Sequence, residues 1–284
     1  MNDLWIAMTA VILISLTLGV ITAWIAPRHR QPQMLWIAIS LCATFAFLFY
    51  AAGQFYWARL MPDSAVIVWS NLTPMLAAIA AGVCWRLDNT PRWRRLAMTM
   101  TLSMIVLAST LWPFLNISLR PQPNGGNAWR GPVAMQTSWA TCSPAAAATF
   151  LTAGGIPIDE AAMIPRCLTD ASGTPTLGLY RGVKLVAKDN GRDLEVDHFQ
   201  HEALFAGEVG FPILMMVKLP ISGVDDPRYA EQWGWIPGMG HSVVALGLSD
   251  QGKLIVADPA IGLEHWSEAD MRVLWHGDAV RFAK

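Results

Sequence analysis

Two segments about a hundred residues apart carry the groups that nucleophilic catalysis needs. Cys142 stands directly before Ser143-Pro144-Ala145-Ala146-Ala147-Ala148. That run reads as a helix with proline in its first turn and Gly154-Gly155 as its stop. Unpaired N–H groups and the helix dipole favour an anion at such an end. A thiol placed there ionises below its usual value of about 8.5, and the thiolate is the nucleophile. Gln136 lies six residues upstream. Its side-chain amide, with the Cys142 backbone N–H, could hold a developing oxyanion, and one such donor is typically worth about 2.7–4 kcal/mol.

A thiolate also needs a base held in place. His241 opens a strand after Gly238-Met239-Gly240, and Asp258 closes a second strand just before Pro259. If His241–Leu248 and Leu254–Asp258 pair as a hairpin across Ser249–Gly252, their outer ends meet. The carboxylate would then fix the imidazole's tautomer and stabilise its charged form. Each piece alone has a plainer reading: a cysteine as core filler, a Gly-His pair as structure, an Asp-Pro pair as a turn. The order Gln, Cys, His, Asp, each on a suitable element, favours the chemical one. Trp139, Trp233 and Trp235 are candidates to line a substrate groove. For the two in the polar loop 225–235, core anchoring or contact with a bilayer stays open.

The elements that must position these residues follow from pattern. Helices are expected at 143–153, 158–164 and 176–188, and a short one near His201. Strands are expected at 194–199, 211–219, 241–248, 254–258 and 279–282. Ser267-Glu268-Ala269-Asp270 has the form of a helix N-cap leading to Trp275. Helices first and antiparallel strands later argue an α+β domain.

The first 119 residues are of another kind. Seven Arg, no Lys and three acids make about 8% of them charged, against 31 of the remaining 165, about 19%. A soluble domain is typically about 25% charged. Four stretches, Leu4–Ala26, Met34–Trp57, Ser64–Trp85 and Leu96–Leu119, carry no charge, and each is 22 to 24 residues long. Roughly 20 apolar residues span a bilayer as a helix. Trp5, Trp24, Trp36, Trp57 and Trp85 fall near the ends of the first three, where indole rings settle at the headgroup level. The first span is not expected to be a cleaved signal peptide, because its leader lacks a positive side chain and the apolar run is too long. The loops after spans one and three share a face and hold Arg28, Arg30, Arg86, Arg92, Arg94 and Arg95. Positive-inside therefore places both termini and the second half outside the cytoplasm, on a cytoplasmic (inner) membrane. Asn71, Thr73 and Pro74 make a polar, kink-prone patch in span three, read as interhelical packing. With no ionisable residue inside the spans, ion-coupled transport is disfavoured.

The expected organisation is thus a four-helix transmembrane domain (1–119), a linker (120–131) and an α+β domain with an antiparallel sheet (132–284). The net charge of -1 offers no footprint for nucleic acid, and no Walker-type loop for a nucleotide is present. No cofactor or metal is called for. Asp197, His198 and His201 hint at a metal cluster but lack a further ligand pair. Cys167 could pair with Cys142 in an oxidising compartment, although a buried free thiol is the simpler expectation. Cys42 and Cys84 read as packing residues within the spans. Gly125-Gly126 in the linker has the form of a double-glycine cleavage point, and flexible linker is its plainer reading.

Three segments carry a resemblance: Gln136-Thr-Ser-Trp-Ala-Thr-Cys142-Ser-Pro-Ala-Ala, Gly240-His241-Ser-Val-Val, and Ala257-Asp258-Pro-Ala-Ile-Gly262. Together they resemble cysteine peptidase family thirty-nine, papain-like peptidases that trim double-glycine leaders from bacteriocin precursors. The match runs from Ala134 to the C-terminus. It implies a bacterial source and a papain-like fold, with Cys142 as nucleophile, His241 as base, Asp258 as orienter and Gln136 in the oxyanion hole. A peptide or protein would be the substrate and the lipid bilayer a partner. In the family's exporters this domain precedes the membrane helices, faces the cytosol and is followed by an ATPase. Here it follows four spans, faces outward, and has Ser143 where glycine is common. The chemistry therefore transfers better than the substrate does. An acyl- or amidotransferase with the same triad, and a non-catalytic peptide-binding module, remain the alternatives.

Overall fold

A computed structural model describes residues 1–283. The chain divides into two compact units, and the division is not a single cut. Met1–Gln54 and Ala65–Leu119 form the first unit; Phe55–Ser64 joins residues 120–283 in the second.

The first unit holds α1 (Asn2–Ile25) and α2 (Arg30–Tyr50). Beyond an excursion containing α3 (Tyr56–Leu60) come α4 (Val66–Trp69), α5 (Thr73–Trp85), α6 (Arg92–Thr110) and α7 (Trp112–Leu119). Three helical stretches, Asn2–Ile25, Gln31–Tyr50 and Val66–Trp85, are long and apolar enough to cross a membrane. The expected fourth is a bent pair instead: α6 and α7 meet at 74°. Pro113 explains the break, because it lacks the N–H that would continue α6 through Leu111. The second span also ends earlier than its charge-free run, at Tyr50. Gly53 takes a left-handed conformation (φ 70°) in the turn that follows, and Phe55 to Trp57 go to the other unit.

Outward faces in this unit are apolar, with Ile6, Leu16 and Val20 on α1 and Leu35, Ile39 and Phe49 on α2 all exposed. Such a surface suits hydrocarbon rather than water. Packing within relies on small residues: a Cβ on Gly82 of α5 would fall 2.2 Å from the Gly19 carbonyl oxygen of α1. Asn71 fills the gap between α4 and α5. It accepts the Thr73 N–H at 3.1 Å and donates to the Ser109 carbonyl at 2.9 Å, the packing role expected of it. Gln33, almost fully buried, donates to the Pro27 and Arg86 carbonyls at 2.7 and 2.9 Å and accepts from Asp88 N–H at 2.8 Å. It thereby holds the two arginine-bearing loops at one end of the bundle.

The second unit begins with the hairpin β1 (Trp129–Arg130) and β2 (Val133–Ala134), followed by α8 (Cys142–Ala153), α9 (Glu160–Arg166) and α10 (Thr176–Asp189). Then come β3 (Leu194–His198), α11 (Glu202–Phe205), β4 (Ile213–Lys218), β5 (Gly240–Leu248), β6 (Leu254–Asp258), β7 (Gly262–Trp266), α12 (Glu268–Leu274) and β8 (Trp275–Phe282). The sheet is six-stranded and antiparallel in the order β3-β8-β4-β5-β6-β7. β7 and the β1–β2 hairpin were not anticipated. Gly262, at φ 118°, lets the chain fold back on Asp258 and start β7 within four residues.

Ala145 to Ala148 are all 0% exposed, so α8 is buried all round. Their methyl groups keep it thin enough to lie against β5 and the sheet core. The linker glycines are seated rather than free. A Cβ on Gly125 would lie 2.4 Å from Ala161 Cα, and one on Gly126 2.6 Å from Thr137 Cγ2. The buried Glu160 carboxylate accepts the Gly126 N–H and the Thr137 N–H, each at 2.8 Å. On the far side of the unit, Phe55 packs edge-on against Tyr180 of α10 with ring centroids 6.3 Å apart, and Ala58 is fully buried.

The α1–α5 contact gives a direct test. Replacing Gly82 by valine should destabilise the detergent-solubilised protein by about 1–3 kcal/mol or more, read as a lowered thermal midpoint. Gly210→Ala, where nothing lies within 4 Å of the added carbon, should leave it unchanged.

Candidate active site

Cys142 is the first residue of α8, and nothing from its own helix can accept its N–H. The preceding residue does not cap the helix. Thr141 Oγ1 instead accepts the Ser138 N–H at 3.0 Å and donates to the Ser138 carbonyl at 3.0 Å. Pro144 removes one further N–H from the first turn. The helix end is therefore left facing the cysteine sulfur with its dipole uncompensated by a side chain.

β5 and β6 pair as a hairpin, with Val244 opposite Ala257. Their outer ends carry His241 and Asp258 together: His241 Nε2 and Asp258 Oδ1 are 2.9 Å apart. Asp258, 2% exposed, also accepts the Ala260 N–H at 2.7 Å, so the Asp-Pro turn fixes its own carboxylate. With Nε2 committed to Asp258, Nδ1 is the ring nitrogen left to serve the sulfur, and His241 and Cys142 each shift the other's ionisation. Burial opposes charge on the imidazole. The hydrogen bonds to Asp258 and Cys142 and their attraction outweigh it and push His241 up to about 10. Burial likewise opposes the thiolate, but the bond to His241, its charge, the Ser143 hydroxyl and the Ser242 N–H bring Cys142 below the usual thiol range. Both shifts favour the thiolate–imidazolium form of the pair.

Gln136 is tied to the same corner by its backbone, which donates to the Pro259 carbonyl at 2.9 Å. Its Oε1 is buried and unpartnered. Next to it Thr137 is held by Glu160. Among the three tryptophans the structure separates roles. Trp139, 65% exposed, lies three residues before Cys142 and can meet a substrate. Trp235 is buried and stands edge-on to the His241 ring at 5.4 Å. Trp233 stacks on Trp266 at 6.2 Å, with Arg228 over its ring. Arg228 and Tyr229 both donate to buried Asp270, at 2.7 and 2.9 Å. The polar loop is thus anchored in the core, and Trp235 stands against the histidine.

Other candidates resolve differently. Cys142 and Cys167 are both free thiols. Cys167 is packed beneath Gly182, and burial pushes it up to about 12. His198 pairs with Asp278 at 3.0 Å and Asp197 with Arg281. His201 lies instead with Glu202 and Glu268, at 3.3 and 3.4 Å. The Arg272 guanidinium shares that exposed group, which opposes a cation there. Three contributors were not anticipated: Ser143 and Ser242, whose hydroxyls meet at 2.8 Å, and Glu264, whose carboxyl is raised by burial and then by neighbouring Asp258. Adjacency to Cys142 and His241 was the sequence signal for the two serines.

No family model and no curated protein matches the chain. Solved structures do. One is the peptidase domain of Streptococcus ComA, a bifunctional ABC transporter involved in a quorum sensing pathway: 21% identical over 53% of this chain and 96% of that one, with a TM-score of 0.41. A double glycine motif protease from an AMS/PCAT transporter, in complex with its leader peptide, is 18% identical over 57% and 96%, at 0.40. The peptidase domain of Streptococcus mutans ComA is 18% identical over 54% and 99%, at 0.36. The structural neighbours are thus peptidase domains, and likeness at this level leaves the chemistry to be read from the site.

Charge on the pair sets a pH profile. Peptide-bond cleavage should rise with pH through the lowered Cys142 value and fall again as His241 deprotonates near 10. Simple alkylation of Cys142 should rise on the same acid limb and show no alkaline fall, since it needs no proton donor. Asp258→Asn keeps an acceptor for the ring and should move the alkaline limb down. Asp258→Ala should cost about 10²-fold or more in turnover.

Proposed function

We propose that this chain is a membrane-embedded cysteine peptidase that hydrolyses peptide bonds by a Cys-His-Asp mechanism on the extracytoplasmic face. The observation that carries the reading is the 2.9 Å His241–Asp258 hydrogen bond, with that imidazole electrostatically coupled to Cys142 at the uncapped N-terminus of α8. A binding module would gain nothing from a thiolate–imidazolium pair, which costs stability to bury. The Cys142 thiolate attacks the carbonyl carbon. The oxyanion is held by the Cys142 N–H and the Gln136 amide. His241 gives its proton to the leaving amine as the C–N bond breaks. The neutral ring then takes a proton from water, whose oxygen attacks the thioester. Acid product leaves, and the thiolate and imidazolium are restored.

A peptide or protein is the substrate class, with exposed Trp139 as a contact beside the nucleophile; a leader peptide is what one structural neighbour holds. Topology rests on parity. Phe55–Ser64 belongs with the peptidase unit, so both lie on one side of the membrane and the chain between them crosses an even number of times. Val66–Trp85 and the bent α6–α7 pair supply those two crossings, giving four spans with the first two. Arginine placement then puts the site outside the cytoplasm.

An impermeant thiol-reactive peptide electrophile applied to intact spheroplasts tests site and side together. Wild type should label, Cys142→Ala should not, and His241→Ala should label at least about tenfold more slowly. Labelling that appears only after lysis would reverse the orientation, and equal labelling of His241→Ala would remove the pair from the mechanism.

A further inference from the structure

Ser143 and Ser242 each follow a member of the site in sequence, one on α8 and one on β5. Their hydroxyls are 2.8 Å apart and both residues are buried, 8% and 3% exposed. Ser143 Oγ is also 3.9 Å from Cys142 Sγ. Each hydroxyl has one proton to give. Beside a neutral thiol the chain could run either way. A thiolate only accepts, so beside it a single order satisfies every atom: Ser242 Oγ–H donates to Ser143 Oγ, and Ser143 Oγ–H donates to the sulfur.

We propose that Ser143 is a hydroxyl donor to the Cys142 thiolate and that Ser242 is the positioning residue that aims it. This rests on the peptidase reading for the identity of the nucleophile. The charged groups around the sulfur come from the sheet: His241 on β5, with Asp258 on β6 and Glu264 on β7 behind it. From α8 come only neutral donors, the helix N–H groups and the Ser143 hydroxyl. Imidazolium alone would leave the thiolate with one side-chain partner in a buried setting, and an under-solvated anion there is costly. The serine pair supplies a second donor. Once the sulfur is acylated it no longer accepts a strong bond, and the hydroxyl is free to turn back towards Ser242.

The plainer role for two bonded serines is a staple between α8 and β5, and the experiment must separate the two. Iodoacetamide alkylation of Cys142 in the detergent-solubilised full chain, followed by mass measurement of its peptide across pH, reports the thiolate without needing a substrate. Ser143→Ala should raise the alkylation midpoint by roughly one pH unit, the size of one hydrogen bond to a charged group. Ser242→Ala should raise it less, and Ser143→Thr, which keeps the hydroxyl, should restore the wild-type midpoint. Unchanged midpoints in both alanine variants, with lowered thermal stability, would leave only the staple and overturn the proposal. A wild-type midpoint at the ordinary thiol value would instead overturn the nucleophile itself. Should Ser143→Ala fail to accumulate, Ser242→Ala alone carries the comparison.

Discussion

The coupling of one sulfur, Cys142, to one imidazole, His241, sets the demands on everything around it. Burial by itself would neutralise both partners, raising the thiol and lowering the histidine. Charge on each is favoured by the other and by further partners. Asp258 supports the imidazolium from behind. The helix end and the hydroxyls of Ser143 and Ser242 lie on the sulfur's own side. Removing any one of these partners leaves the remaining charge buried and under-compensated, which is why the surrounding structure is so constrained.

Those constraints explain sequence features that have no chemistry of their own. Four buried alanines make α8 slim enough to bring its N-terminus against β5. The hairpin register puts His241 and Asp258 at one end, and the Asp-Pro turn both locks the carboxylate and offers a carbonyl to Gln136. Trp235 stands over the histidine and is itself braced through Trp266. Trp233, Tyr229 and Arg228 hold the same loop to Asp270. A loop rich in charge is thus a rigid wall, built from one buried carboxylate.

What could be read in advance was what short-range pattern encodes. Cys142 before an alanine run, a strand opening at His241 and another closing at Asp258 are all local, and so were most helices and strands of the second unit. The bend in the fourth stretch is not legible from a count of apolar residues, which ignores where Pro113 removes a hydrogen bond. Trp233 and Trp235 were ambiguous for another reason: polarity marks a loop but says nothing about the tertiary partner that pins it. β7 lacks a readable pattern because its one aliphatic side chain, Leu263, faces outward in Gly-Leu-Glu-His-Trp. The contribution of Ser143 and Ser242 depends on a bond between residues 99 positions apart, which no pattern within either segment contains.

The double glycine of the linker shows how a motif can be present without being used as its pattern suggests. A scissile bond must reach the nucleophile in an extended, accessible form. Gly125 and Gly126 are instead pressed against α9 and Thr137, with no room for a Cβ on either, and the Gly126 N–H is held by a buried carboxylate. Glycine is required here by close backbone approach, not by recognition at the sulfur. The same Glu160 carboxylate holds Thr137, the residue after Gln136. Two neighbours of the site are therefore bound by one buried carboxylate: the segment carrying Gly126 and the loop that carries Gln136. Pulling the linker out to be cut would strip Glu160 of a partner and loosen the Gln136 loop.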